Sequence, residues 1–219
     1  MHLLNIMEFG YKVGVDPTVT DFYESMAAAS RAATETLATR MRYVSFERYT
    51  QRKDYFQLPR MFGGALMPHA TLLLSRGFAD TAGMTVRYAS NMRALRNGDA
   101  ATYFNLMDLQ GDGQSDHTLI NGAVGTVYVE GVELSEQWVE VAYTGGLYVA
   151  SDDLYENVPG WLSEAAMAQA SINLMQNRAL TPENGPDLVP IQRQLADLIA
   201  GHGRFLPQAV RPVASSPER

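Results

Sequence analysis

The chain has 219 residues, 46% hydrophobic and 19% charged, which suits one elaborated domain, or a core with an insertion, and enough apolar mass for a sizeable core. It contains no cysteine, which excludes a disulfide framework, a thiolate nucleophile and a cysteine-ligated zinc. The net charge of −7 is unevenly placed: no Lys or Arg lies between Arg96 and Arg178, a stretch holding twelve of the 24 carboxylates, so this segment lacks the cations that grip nucleic acid. Two readings of the acidic stretch stand. It is a solvated face that keeps the protein soluble, or a surface that repels DNA or meets a basic partner.

The opening MHLLNIMEFGYKV lacks a basic start and a small-residue cleavage site, so it does not read as a signal peptide. No apolar run approaches the roughly 18–20 residues of a membrane helix. The chain is therefore expected in a cytoplasm. The first strong pattern is DPTVTDFYESMAAASRAATETLATRMRY. Asp16-Pro17 suits a helix cap followed by a first-turn proline, with Asp21 and Glu24 as a second possible start. Phe22, Met26, Ala29, Ala33, Leu37 and Met41 then recur at helical spacing, predicting a helix of about five or six turns with an alanine-rich stripe.

From Tyr43 to Leu147 the period changes. VSFERYTQRKDYFQLP alternates and ends at Pro59, as a strand does, and MFGGALMPHA reads as a loop. ATLLLSRGF, GMTVRYAS, ATYFNLMDL, GTVYVEG and QWVEVAYTGG follow as short β-type runs separated by Gly, Asn and Asp, which predicts a meander of five or six strands. After Pro159, the spacing of Trp161, Ala165, Ala168, Ile172, Met175 and Ala179 predicts a helix. A shorter one follows Pro190, with Leu188, Ile191, Leu195 and Leu198 on one side and Gly201 as its stop. The last stretch, HGRFLPQAVRPVASSPER, has three prolines and no periodicity; it is expected to be disordered unless something, most simply a neighbouring chain, holds it.

Motifs for chemistry are sparse. In DLQGDGQSDH, Asp108, Gln110, Asp112, Gly113 and Asp116 match positions of a calcium loop, but the closing position is Leu119 in place of a bidentate Glu. A Gly/Asp-rich turn accounts for the same residues. His2, His69, His117 and His202 have no partner at metal-ligand spacing, and Ser115, Asp116 and His117 are adjacent, which does not supply triad geometry. The carboxylates of GVELSEQW and SDDLYEN read as exposed acidic turns. The aromatics Tyr88, Tyr103, Phe104, Tyr128, Trp138 and Tyr143 sit at strand positions and read as cross-strand packing. Arg31, Arg40, Arg42, Arg48, Arg52, Lys53 and Arg60 make the first third the most basic part, balanced by seven carboxylates in the first sixty residues, which suits salt bridges between subunits.

The order of these parts carries a resemblance. AAASRAATETLATRMRYVSFERYTQRKDYFQLP resembles the opening of tailed-bacteriophage head–tail connector (adaptor) proteins: an alanine-rich helix, a Thr/Arg-aromatic stretch and a strand ending in Leu-Pro. WVEVAYTGGL is similar to the strand that closes the family's β insertion, and PGWLSEAAMAQASINLMQNRAL to its last core helix. The likeness covers roughly residues 17–180; residues 97–136 have no counterpart in it.

The resemblance implies an α+β fold in which an N-terminal helix and C-terminal helices form a helical core, carrying an inserted antiparallel β meander and an extended C-terminal tail. The expected divisions are 1–42 (N-terminal segment and core helix), 43–150 (β-rich insertion), 151–201 (C-terminal core helices) and 202–219 (tail on partner chains). It implies a structural virion protein, not an enzyme, without metal or cofactor. Such a protein forms a homo-oligomeric, usually dodecameric ring at the head–tail interface, assembled in the bacterial cytoplasm. The ring docks on the portal protein, extends the DNA channel without sequence-specific binding or a membrane, and presents a surface to tail or head-completion proteins. Met26, Ala29, Ala33 and Leu37 are then the expected subunit-packing stripe. Arg204, Phe205, Leu206, Val210, Arg211 and Val213 are the expected anchors on the portal or a neighbouring subunit, the two arginines pairing with carboxylates. The alternatives are a tail-completion or tail-tube protein, which is expected to hold little helix, and a calcium-binding module or hydrolase using Asp108, Asp112 and Asp116, which calcium titration would reveal.

Overall fold

Asn5 begins the first helix of the computed structural model: its side chain accepts from the backbone N–H groups of Met7 and Glu8, capping α1 (Ile6–Val13). Gly14, at φ 74°, ends it in the left-handed region that favours glycine. The structure describes residues 1–59, 69–80, 83–97, 102–105, 117–130, 138–150, 153–177 and 187–216. They fold as a mixed α+β chain in two compact units: residues 1–47 with 147–205, and 48–146 with 206–219.

The first unit is helical. Its α2 (Thr20–Arg40) starts after Val19, later than Asp16-Pro17 suggests, because Asp16 instead accepts from the backbone N–H and hydroxyl of Thr18 in a local turn. Phe22, expected on the buried stripe, is 44% exposed; Met26, Ala29, Ala33, Leu37 and then Met41 are buried. They face the chain's own interior, where α2 packs against α1 and α4 (Gly160–Gln176). Alanines at both surfaces (Ala29 and Ala33; Ala165, Ala166 and Ala170) let the α2 and α4 backbones approach. Polar ties join them: Arg40 donates to Gln169 Oε1 at 2.9 Å, Gln169 to Asn173, and Asn173 Nδ2 to Ala29 O at 3.2 Å.

Helix α4 is buried on nearly every side, Ser171 and Gln169 included, as befits the central helix of a bundle. Ala165, Ala168 and Ile172 of the expected seam are buried and Trp161 and Met175 half-buried, while Ala179 lies outside the described residues. Helix α5 (Leu188–His202), capped by Asp187, packs on α4 through Leu195, and Trp161 stacks on His202 at 4.4 Å. Its stop is Gly203, not Gly201: an added Cβ there would lie 2.2 Å from the Phe205 ring. A short hairpin of β8 (Tyr148–Val149) and β9 (Tyr155–Glu156) also belongs to this unit.

The second unit holds two antiparallel sheets. One has the order β10-β1-β7-β3-β4, from β1 (Tyr49–Gln57), β3 (Thr85–Ala89), β4 (Thr102–Asn105), β7 (Trp138–Gly145) and β10 (Ala214–Ser215). The other is β2 (His69–Leu73), β6 (Thr126–Glu130) and β5 (His117–Asn121), with β6 central. The short helix α3 (Met92–Asn97) follows β3. The expected meander is corrected. β1 pairs with β7 and β2 with β6, far apart in sequence, because alternation fixes which face of a strand is buried but not which strand it pairs with. Phe56, Val86, Tyr88, Val139, Val141 and Tyr143 of the larger sheet and Ala70, Leu72, Val127 and Val129 of the smaller form one core. On the other face of the larger sheet, Leu95 of α3 packs with Tyr55 and Ala89.

The terminal segment corrects a second expectation. Residues 206–216 are held by the chain's own sheets. Val210 N–H donates to Thr71 O at 2.8 Å and Leu73 N–H to Val210 O at 2.9 Å; Val213 N–H donates to Tyr55 O at 2.8 Å. β10 then pairs with β1 in the register Asp54↔Ser215, Tyr55↔Ala214. Pro212 lies between the paired residues Val210 and Val213, and Pro207 precedes them, so the missing N–H groups cost the ladder nothing.

Candidate interaction surface

The terminal strap is fastened by a buried carboxylate. Asp54 lies on the inward phase of β1 and is 0% exposed. It accepts from Ser75 N–H (2.6 Å), Ser75 Oγ (2.7 Å), Tyr143 Oη (2.5 Å) and Ser215 Oγ (2.6 Å), with Arg52 Nε at 3.7 Å. Arg52 Nε also donates to Ser75 Oγ at 2.6 Å. Burial, reinforced by the charge of Asp54 and the hydrogen bond donated to it, pushes the Tyr143 phenol far above the ordinary tyrosine value. A carboxylate surrounded by donors in this way is a structural bolt: its negative charge is balanced by hydrogen bonds from Ser75, just after β2, from Tyr143 of β7 and from Ser215 of the strap. Sequence reading missed it, yet Arg52, Asp54 and Phe56 share one phase of an alternating strand, and an Asp on the inward phase is a signal that can be read.

A second buried set lies on the opposite face of the same sheet. Arg87, 7% exposed, donates to Glu140 Oε1 at 2.9 Å and to Leu95 O at 3.2 Å, while Lys53 Nζ stands 3.5 Å from the same carboxylate oxygen. Burial, then the charge of Glu140, raises the Tyr55 phenol. Both sets hold strands together.

The residues expected to anchor on partner chains divide. Arg204 is 4% exposed; its N–H donates to Met41 O at 3.0 Å and its guanidinium lies 5.6 Å over the Tyr43 ring, so an aromatic of its own chain takes the place of a partner's carboxylate. Val210 packs on the β core. Leu206 is half-buried, and Arg211 is exposed. Phe205 is 40% exposed beneath the Arg42 guanidinium, and Val213 is 55% exposed. Met26, Ala29, Ala33 and Leu37 are at most 2% exposed within the chain, so they are withdrawn from any neighbour; this corrects their assignment as a subunit-packing stripe. Pro59, Ala70, Thr71 and Leu206 to Val210 line an open groove of about 570 Å³ beside the strap.

Asp108, Asp112 and Asp116 lie outside the described residues, as do Ser115 and the carboxylates of residues 131–137. Among the described residues no group of three or more His, Asp or Glu could hold a metal ion, and no helix is long and apolar enough to cross a membrane. No protein-family model matches the chain, and no curated protein matches its sequence.

Proposed function

We propose that the chain is a structural subunit of a phage-type head–tail connector: a ring that docks on the portal, extends the DNA conduit and offers an attachment surface to tail components. The observation that carries this reading is the insertion architecture. Residues 1–47 and 147–205 supply one helical unit, and the β-rich stretch 48–146 is inserted between them in the chain, with residues 206–219 returning to the β unit. The segments that carry the resemblance follow in the same order here: α2, β1 running to Pro59, β7 as the last long strand, and α4 opening after Pro159. The helical unit weighs against a tail-tube protein.

The role proposed for α2 changes with its burial. Its apolar stripe builds the subunit, so contact between copies falls to the outer face, where Ala28, Arg31, Ala32 and Glu35 are exposed. Small residues and opposite charges on that face suit a repeated subunit contact. The acidic middle segment is assigned to the conduit, where a negative wall lets DNA pass without sticking. Particles produced without this chain test the reading: DNA-filled heads are expected to accumulate that neither retain their DNA nor join tails. Tailed, infectious particles formed without it would overturn the proposal.

A further inference from the structure

We propose that the face shared by α1 and the start of α2 docks a cationic segment of another protein, which inserts one large apolar side chain between Met7 and Tyr23. The connector reading places no partner on this face, and the assignment does not depend on it. Phe22 and Tyr23 stand one turn before Met26, on its stripe of α2. Met26 is covered by α1: an added Cβ at Gly10 would lie 3.0 Å from its Sδ. Toward the start of α2 that cover ends. Every residue from 18 to 25 is exposed, and Val19, Phe22 and Tyr23 each keep 44% of their surface open. Met7 and Tyr11, one turn apart on α1, are exposed as well. Large apolar groups gathered in this way mark a surface for a partner, whereas single ones need no account.

Met7 and Tyr23 also line a pocket of about 240 Å³, together with His2, Leu4, Ile6 and Leu154. Its walls are fixed before any partner arrives. Leu4 and Ile6 are buried, His2 N–H donates to Asp153 O at 2.7 Å, and Tyr155 N–H donates to His2 O at 2.9 Å. The volume falls below the roughly 300–1,000 Å³ of small-molecule sites and suits a single side chain. Charge then selects the partner. Met7, Tyr23 and Leu154 are each followed or preceded in the chain by an exposed carboxylate: Glu8, Glu24 and Asp153. Asp16 and Asp21 are exposed nearby in the chain, against Lys12 and Arg31. A negative surface of this kind repels nucleic acid and anionic lipid, and attracts a segment bearing Lys or Arg. A second copy laid face to face would set these carboxylates against one another, which disfavours the chain itself as occupant.

Random peptides of about twelve residues, displayed on filamentous particles and selected on the immobilised full-length chain, test this directly. Enriched peptides are expected to carry Lys or Arg beside a Trp, Phe, Leu or Met. A synthetic copy of the most enriched peptide, followed by fluorescence anisotropy, is expected to bind Tyr23→Ser about tenfold more weakly than the unchanged chain. Replacing Glu8 and Glu24 by Gln is expected to cost about threefold, and raising salt from about 50 to 300 mM to weaken binding further. Both sites are exposed, so the thermal midpoint is expected to hold and the losses to report binding. Met7→Ser, on the other wall of the pocket, repeats the test on a second helix. Enrichment of acidic or uncharged peptides, or no enrichment beyond that on Tyr23→Ser, overturns the proposal. So does self-association of the chain, or capture of anionic lipid vesicles, that Tyr23→Ser abolishes, since either gives the face a different occupant. The connector reading survives each of these results.

Discussion

Asp54 is the residue on which the β unit turns. Replacing it by alanine leaves Tyr143 Oη, Ser75 N–H and Ser215 Oγ without their acceptor, a loss expected to cost about 3–5 kcal/mol. Urea unfolding of Asp54→Ala checks this, with Ser215→Ala expected to lose about 1–2 kcal/mol of the same total. The bolt also sets an alkaline limit. Folded Tyr143 keeps a proton that the unfolded chain releases above pH 10.0, the ordinary tyrosine value, so stability falls as pH rises past that point and is unaffected below it. Tyr43, raised by burial against the opposing charge of Arg204, acts with the same sign in the helical unit. The urea midpoint is expected to be flat between about pH 8 and 9 and to fall above about 10, less steeply in Tyr143→Phe. Gly145 gives a third residue-level check: an added Cβ would lie 2.3 Å from Phe78 O and 2.8 Å from Ala79 Cα, backbone atoms that have nowhere to move. Gly145→Ala is expected to destabilise by about 3 kcal/mol, whereas Gly160→Ala, which meets nothing within 4 Å at a helix start, is expected to be neutral or stabilising by up to about 1 kcal/mol.

At the scale of elements, the helices were the most legible part of the sequence. The spacing of Met26, Ala29, Ala33 and Leu37 in α2 and of Ala165, Ala168 and Ile172 in α4 reflects local periodicity that burial enforces, whereas of Leu188, Ile191, Leu195 and Leu198 in α5 Leu195 is buried and the other three half-buried. α1 is only eight residues and α3 six, too short for a stripe to stand out. The β pairing was not legible, because which strand lies beside β1 depends on contacts nearly ninety residues away, as Asp54 to Tyr143 shows (a separation of 89). The strap was misjudged for a related reason. Its composition predicts no order of its own, and its order comes from edges that β1 and β2 present. The buried alanines make a separate point. Ala33→Leu is expected to destabilise the isolated chain by about 1–3 kcal/mol through overpacking of α2 on α4, measured by thermal unfolding of the unassembled protein. An effect confined to assembly, with unchanged stability of the single chain, would return Ala33 to a surface between subunits.

For the whole molecule, both units carry the resemblance, the helical unit through α2 and α4 and the β unit through β1 and β7, and the β unit also holds the strap and much of the acidic stretch between Arg96 and Arg178. In the proposed connector, the stretch between Arg96 and Arg178 would bring no Lys or Arg to passing DNA and so no phosphate contacts whose counterions salt could compete for. The most direct measurement is native mass spectrometry of the full chain with isolated portal rings. A stable complex holding one closed set of copies per portal ring, absent without portal or with an excess of unrelated ring protein, is the predicted result. A chain that remains a single unbound subunit at every ratio to portal would contradict the account.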